Sequence, residues 1–119
     1  MDQLTGKADI YINGAYFDST MDGASITGLA GIENTPVMNS RGQTAGYISK
    51  PIPGTIKASF LHGPDFDIGV FTLPGISLVF ACDNGVNYLM APGIFAKEDG
   101  LDSSKGALPI TFNGDIVRI

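Results

Sequence analysis

Short runs that alternate apolar and polar residues, each ended by a glycine, proline or asparagine turn, recur along this 119-residue chain. Such alternation suits a strand with one face buried and one face wet, and fits no helix. Ala8, Ile10 and Ile12 alternate with Asp9, Tyr11 and Asn13. Asn13-Gly14 is a strong hairpin signal, and Ala15–Asp18 reads as the return strand. Ser25–Leu29 is a weaker strand. Thr55–Leu61 puts Ile56, Ala58 and Phe60 on one face, with Thr55, Lys57 and Ser59 on the other. Ile76–Cys82 is nearly all apolar, the pattern of a strand covered on both faces. Asp83-Asn84-Gly85 turns it into Val86–Ala91; Pro92-Gly93 interrupts, and Ile94–Lys97 resumes. Leu108, Ile110 and Phe112 then alternate with Pro109, Thr111 and Asn113, and Asp115–Ile119 closes the chain.

One short helix is predicted between Pro64 and Pro74-Gly75. Proline suits a first helical position, and Asp65 and Asp67 follow where the helix dipole favours acids. Phe66, Val70 and Leu73 fall at i, i+4 and i+7, a single apolar stripe that makes this a core helix packed on the sheet. The expected fold is therefore mainly β, a β-sandwich or small barrel with one short flanking α-helix, in a single domain over residues 1–119.

Between Gly28 and Lys57 the pattern fails. The segment has several Gly and Pro and only three charges before Lys57, namely Glu33, Arg41 and Lys50. It reads as a long loop at about residues 30–54, and a structureless insertion of that length is usually functional or disordered. Ile32, Val37, Met38, Tyr47, Ile48 and Ile52 make it too apolar for disorder. An apolar loop that cannot fold alone implies a surface ordered by another protein chain.

Composition narrows the function classes. Charged residues make up 16% of the chain, against about 25% in a typical soluble domain, which leaves more of the exterior neutral and suits assembly. The formal net charge is −5, with no basic patch, so gripping nucleic acid is excluded as a main activity; letting DNA pass nearby is not. Cys82 is the only cysteine and lies in an apolar run, which favours a buried small hydrophobe over a nucleophile. His62 is the only histidine. With Asp65 and Asp67 it forms a weak metal pattern, explained more simply by acids at a helix start. No nucleophile-elbow motif partners it. Glu98, Asp99 and Asp102 lack EF-hand spacing and read as a solvated loop. No cofactor, metal site or catalytic residue is expected. The opening Met-Asp-Gln-Leu-Thr-Gly-Lys has no signal-peptide pattern, no run has membrane-spanning length, and a protein assembled in the cytosol is expected.

The order of features is specific where its parts are not. An opening strand ends in Asn13-Gly14, and Gly23-Ala-Ser-Ile-Thr-Gly28 leads to the long loop with Glu33. Gly46-Tyr47-Ile-Ser-Lys50-Pro51 enters the Thr55–His62 strand. A short helix, a hairpin through Asp83-Asn84-Gly85 and Tyr88, a Pro-Gly step and a closing Pro109-Ile-Thr-Phe-Asn-Gly114 follow. Over nearly its whole length the chain resembles the tail tube proteins of contractile-tailed, Mu-like bacteriophages.

That resemblance implies a structural virion protein and no enzyme. Six copies would close into a ring by joining edge strands, and rings would stack through the long loop, with Glu33, Val37, Met38, Arg41, Tyr47 and Lys50 as contact candidates. The subunit would sit in the tail, assembled in the host bacterial cytoplasm, with further copies of itself and sheath, baseplate and tail terminator proteins as partners. DNA would pass through the lumen unheld. Asp9, Thr55, Lys57, Ser59, Thr111 and Asn113 are the lumen-facing candidates, with Asp9 the acid expected to outweigh Lys57. The tube protein of a tailocin or a type VI secretion system is the alternative within this architecture. Outside it stand a monomeric β-sandwich ligand-binding module and a small hydrolase using His62 and Asp65.

Overall fold

The computed structural model describes residues 1–19, 24–64, 66–101, 103–104 and 106–119. Among the described residues there are nine strands: β1 (Ala8–Ile12), β2 (Ala15–Phe17), β3 (Ser25–Thr27), β4 (Ile32–Met38), β5 (Thr44–Pro51), β6 (Gly54–Leu61), β7 (Ile76–Cys82), β8 (Asn87–Glu98) and β9 (Ala107–Arg118). Seven form one antiparallel sheet in the order β2-β1-β7-β8-β9-β6-β3; β4 and β5 form a separate two-stranded sheet.

The alternating runs fold as their patterns require. Ala8, Ile10 and Ile12 of β1, Ile56, Ala58 and Phe60 of β6, and Leu108, Ile110 and Phe112 of β9 are all buried. Asn13 and Gly14 take φ of 51° and 85°, the left-handed pair that a two-residue hairpin turn demands. In β7 one face, Ile76, Leu78 and Phe80, lies in the core, while Ser77, Val79 and Ala81 are only half-covered; cover on both faces is incomplete.

The sheet curls around this core. Beyond β2 the chain reaches the far side of the sheet, where the Leu61 N–H donates to the Asp18 carbonyl at 3.0 Å and Ser19 makes an isolated bridge to Phe60. These contacts bring the two ends of the sheet together without closing it.

The break expected from sequence at Pro92-Gly93 is absent. β8 runs on through Pro92-Gly93, and β9 through Gly114, as strands of 12 residues each. The register aligns Gly54 of β6 with Gly114 of β9, and Gly114 with Gly93 of β8. A Cβ would strike the Ile116 side chain from Gly54, Leu78 from Gly93 and the Pro92 carbonyl from Gly114. Three neighbouring strands thus lose their side chains at one level, so large neighbours fold over them and the ladder continues where isolated glycines would read as stops.

The predicted helix is corrected. Only a 3-10 turn, Ile68–Val70, forms; the Asp67 Oδ1 accepts from the Gly69 N–H at 2.9 Å and caps it. Asp65 lies outside the described residues. A ten-residue segment with Gly69 at its middle and Pro-Gly at its end gains too little from α-helix formation to offset the cost of nucleation. Burial of Phe71 sets the path instead. Phe71 is fully buried and its ring lies 4.9 Å from Phe60, 5.1 Å from Phe17, 5.3 Å from Phe66 and 6.1 Å from Phe112. Leu73, expected in the core, is 53% exposed; Phe66 and Val70 are half-buried.

The predicted long loop is also corrected: residues 32–51 form a regular hairpin. Every residue of both strands is exposed, so neither face shows the alternation that marks a half-buried strand. The hairpin makes the molecule long, 62 × 37 × 29 Å, with a radius of gyration of 17.4 Å against about 13–14 Å for a compact chain of this size.

Candidate functional site

No chemistry-bearing cluster emerges among the described residues. No group of three His, Cys, Asp or Glu is placed to hold a metal. His62 is exposed, its ring 5.3 Å from that of Phe66, while Asp67 is spent on the cap. Cys82 is half-buried and packs against the core as a free thiol. Asp102 lies outside the described residues. Among the described residues no helix is long and apolar enough to cross a membrane.

The hairpin is the more telling surface. Opposite residues share a face, so Glu33, Lys50, Thr35, Ile48, Val37 and Gly46 lie on one side. Ile32, Pro51, Asn34, Ser49, Pro36 and Tyr47 lie on the other, with Met38 beyond a bulge near the tip. Glu33 and Lys50 stand directly opposite one another, a favourable cross-strand charge pair. Asn39 builds the tip: its Oδ1 accepts from the Arg41 N–H at 3.0 Å and the Gln43 N–H at 3.1 Å, and Gly42 takes φ of 74°. Met38 is 62% exposed, Tyr47 70% and Ile48 62%. A two-stranded hairpin by itself is marginal in water, and one with exposed apolar residues on both faces needs a partner.

A second surface is the outward face of β6 and β9. Thr55 lies opposite Asn113 and its hydroxyl donates to Asn113 Oδ1 at 2.9 Å; Lys57 lies opposite Thr111, and Ser59 opposite Pro109. Five of the six lumen candidates therefore form one polar strip. Ile94 of β8, opposite Asn113 and 60% exposed, adds one apolar side chain to it. Asp9 is exposed on β1, but β7, β8 and β9 separate it from β6, about 19 Å along the sheet at ordinary strand spacing. The acid beside Lys57 is Asp99 instead. Its Oδ2 lies 3.4 Å from Lys57 Nζ and its Oδ1 3.7 Å from Lys97 Nζ, and its N–H is tied to the Pro109 carbonyl at 2.9 Å. In sequence Asp99 reads as part of a solvated acidic loop, because Lys57 and Pro109, which hold it, stand on the separate strands β6 and β9.

A tall exposed hairpin on a curled antiparallel sheet is one observation; the family profile is the other. The profile described as phage tail tube protein matches residues 1–118. The chain belongs to the phage tail tube protein family. No curated protein matches it significantly. Among solved structures, one similar chain is from the extracellular contractile injection system PVC, sheath/tube terminator in extended state. Its TM-score is 0.64 at 8% identity, covering 100% of this chain and 97% of that one. Another is from the anti-feeding prophage cap, described as the tube terminating cap: TM-score 0.64, 11% identity, 100% and 91% covered. These likenesses show the fold. The tail tube family makes the chain a structural, tail-related protein, and points to a non-enzymatic role in the virion tail.

The body of this tail tube family member differs in charge from its hairpin. Residues 32–51 hold two bases and one acid, net +1; the remainder holds five bases and eleven acids, net −6. The β1–β2 turn region adds an aromatic, acidic corner, where the Tyr11 and Tyr16 rings lie 5.6 Å apart. Desolvation first, then the Asp9 and Asp18 carboxylates, raise the Tyr16 pKa above the ordinary tyrosine value.

Proposed function

We propose that this protein is the tube subunit of a contractile phage tail, polymerising as stacked hexameric rings around a channel for DNA. The observation that carries the reading is the β4–β5 hairpin, a fully exposed two-stranded element with apolar residues on both faces, in a chain of the tail tube family. Contact with a neighbouring ring through Val37, Met38, Arg41 and Tyr47, with Glu33 and Lys50 nearer the base, would bury what water now meets. The edge strands β2 and β3 support ring closure. Each is three residues long and carries no charged side chain, so joining neighbours would satisfy backbone groups that otherwise invite unspecific pairing.

In this reading the strip of Thr55, Lys57, Ser59, Thr111 and Asn113 lines the lumen, with Asp9 on the same side of the sheet four strands away. Lys57 and Lys97 are matched by Asp99 and by Asp115, which shares the outward parity of Thr111 and Asn113 on β9. A wall near neutrality repeated around a ring lets a polyanion slide. Sheath, baseplate and tail terminator proteins are the expected outer and end partners. Negative-stain imaging of the purified protein tests the reading: hexameric rings or tubes support it, and a monomer at all concentrations supports a β-sandwich ligand-binding module instead.

A further inference from the structure

The hairpin and a hollow of the body lie at opposite ends of the same strand. The hairpin leaves the body at Gly31 and Ile52, where the Ile52 N–H donates to the Gly31 carbonyl at 3.0 Å, just before β6 begins at Gly54. At the far end of β6, eight residues and about 26 Å away, a groove of about 370 Å³ opens where the ends of the curled sheet meet. It is lined by Phe17, Leu61, Pro64 and Phe66, with Tyr16 and Asp18 among its polar groups. A second hollow of about 340 Å³ adjoins it across Phe66, with His62, Asp67 and Glu98 in its lining. This end of the body is therefore apolar within and acidic around, and the hairpin tip at the other end carries Met38 and Arg41.

We propose that the groove between β2 and the side chains of Leu61, Pro64 and Phe66 is the socket for the hairpin tip of a second copy of this chain. The inference rests on the proposed stacking through the hairpin and names its acceptor. Three observations favour this occupant. The tip carries the opposite sign to the body, net +1 against −6. The chemistry matches: Met38 is a flexible thioether suited to an irregular pocket lined by aromatic rings, and the Arg41 guanidinium suits a carboxylate beside a tyrosine face. Placement at opposite ends makes the contact head-to-tail. Such a contact between identical copies does not close on itself, so it propagates along an axis.

Charge exchange between the two ends tests the socket. Arg41→Asp and Asp18→Arg, each confirmed as folded by circular dichroism, should each raise the concentration needed for polymerisation by about tenfold or more. The double variant should return most of that loss. A second measurement is independent of charge: in a Cys82→Ala background, Met38→Cys with Leu61→Cys should give a ladder of oxidised dimers, trimers and longer species. Unchanged polymerisation in both single variants, or no ladder from the cysteine pair, overturns the socket. The stacking reading fails differently: deletion of Thr35–Gln43 would then leave polymers intact. Polymers lost on that deletion but indifferent to Asp18 would keep the hairpin contact and overturn only its acceptor.

Discussion

Replacing Phe71 with alanine separates the observed packing from the helical stripe that the sequence suggests. Phe71 is fully buried, with four other phenylalanine rings between 4.9 and 6.1 Å away. Truncating a buried phenylalanine costs about 3–5 kcal/mol, and each ring pair contributes about 0.5–1.5 kcal/mol beyond area burial. Because the ring is a hub between β2, β6 and β9, the walls of the cavity are held by the sheet and relax little. The loss should lie near the top of the range, about 5 kcal/mol, a large part of the roughly 5–15 kcal/mol that holds such a domain together. Leu73→Ala, at a half-exposed position, should cost less than about 1 kcal/mol. Urea unfolding reads both: at a slope of about 1.5 kcal/mol per molar, Phe71→Ala should lower the midpoint by about 3 M, and Leu73→Ala by well under 1 M. Equal losses from the two variants would refute the packing and restore a helix with Phe66, Val70 and Leu73 on its inner face.

Hydrogen exchange on dispersed subunit and on polymer should show residues 32–51 exchanging quickly in the first and slowly in the second; strong protection in the dispersed subunit would mean that the hairpin needs no partner. Asp99→Asn leaves Lys57 and Lys97 without their shared acid, adding six positive charges per hexameric ring, so polymers of the variant should retain DNA at low salt and release it steeply as salt rises; polymers that still ignore DNA at low salt would remove this strip from the lumen. Gly114→Val should lower the thermal midpoint by several degrees, because its side chain meets the Pro92 carbonyl and Met90, and an unchanged melt would contradict the close packing over the glycine row.

Strands with one wet and one dry face were legible, because β1, β6 and β9 write their burial directly into residue order. The hairpin was not, for a physical reason: with both faces wet in the subunit, Ile32, Thr35, Val37, Tyr47 and Ile48 follow no alternation. Its turn was readable in principle, since Asn39 and Gly42 stand between two β-rich runs. Phe71 was missed because helical spacing selects Phe66, Val70 and Leu73, whereas a 3-10 turn rotates the inward position to the next residue. The glycine row is visible only once register aligns Gly54, Gly114 and Gly93 across three strands. Asp99 is silent in sequence, since what defines it is a 3.4 Å contact with a lysine 42 positions earlier.

The most direct test of the central claim compares the intact protein with a Thr35–Gln43 deletion by negative-stain imaging and native mass spectrometry. The intact chain should give sixfold rings and stacked tubes, and the deletion should give a folded subunit, or rings, that no longer stack. Tubes from the deleted chain, or a lone monomer from the intact one across all concentrations, would contradict assembly through the hairpin.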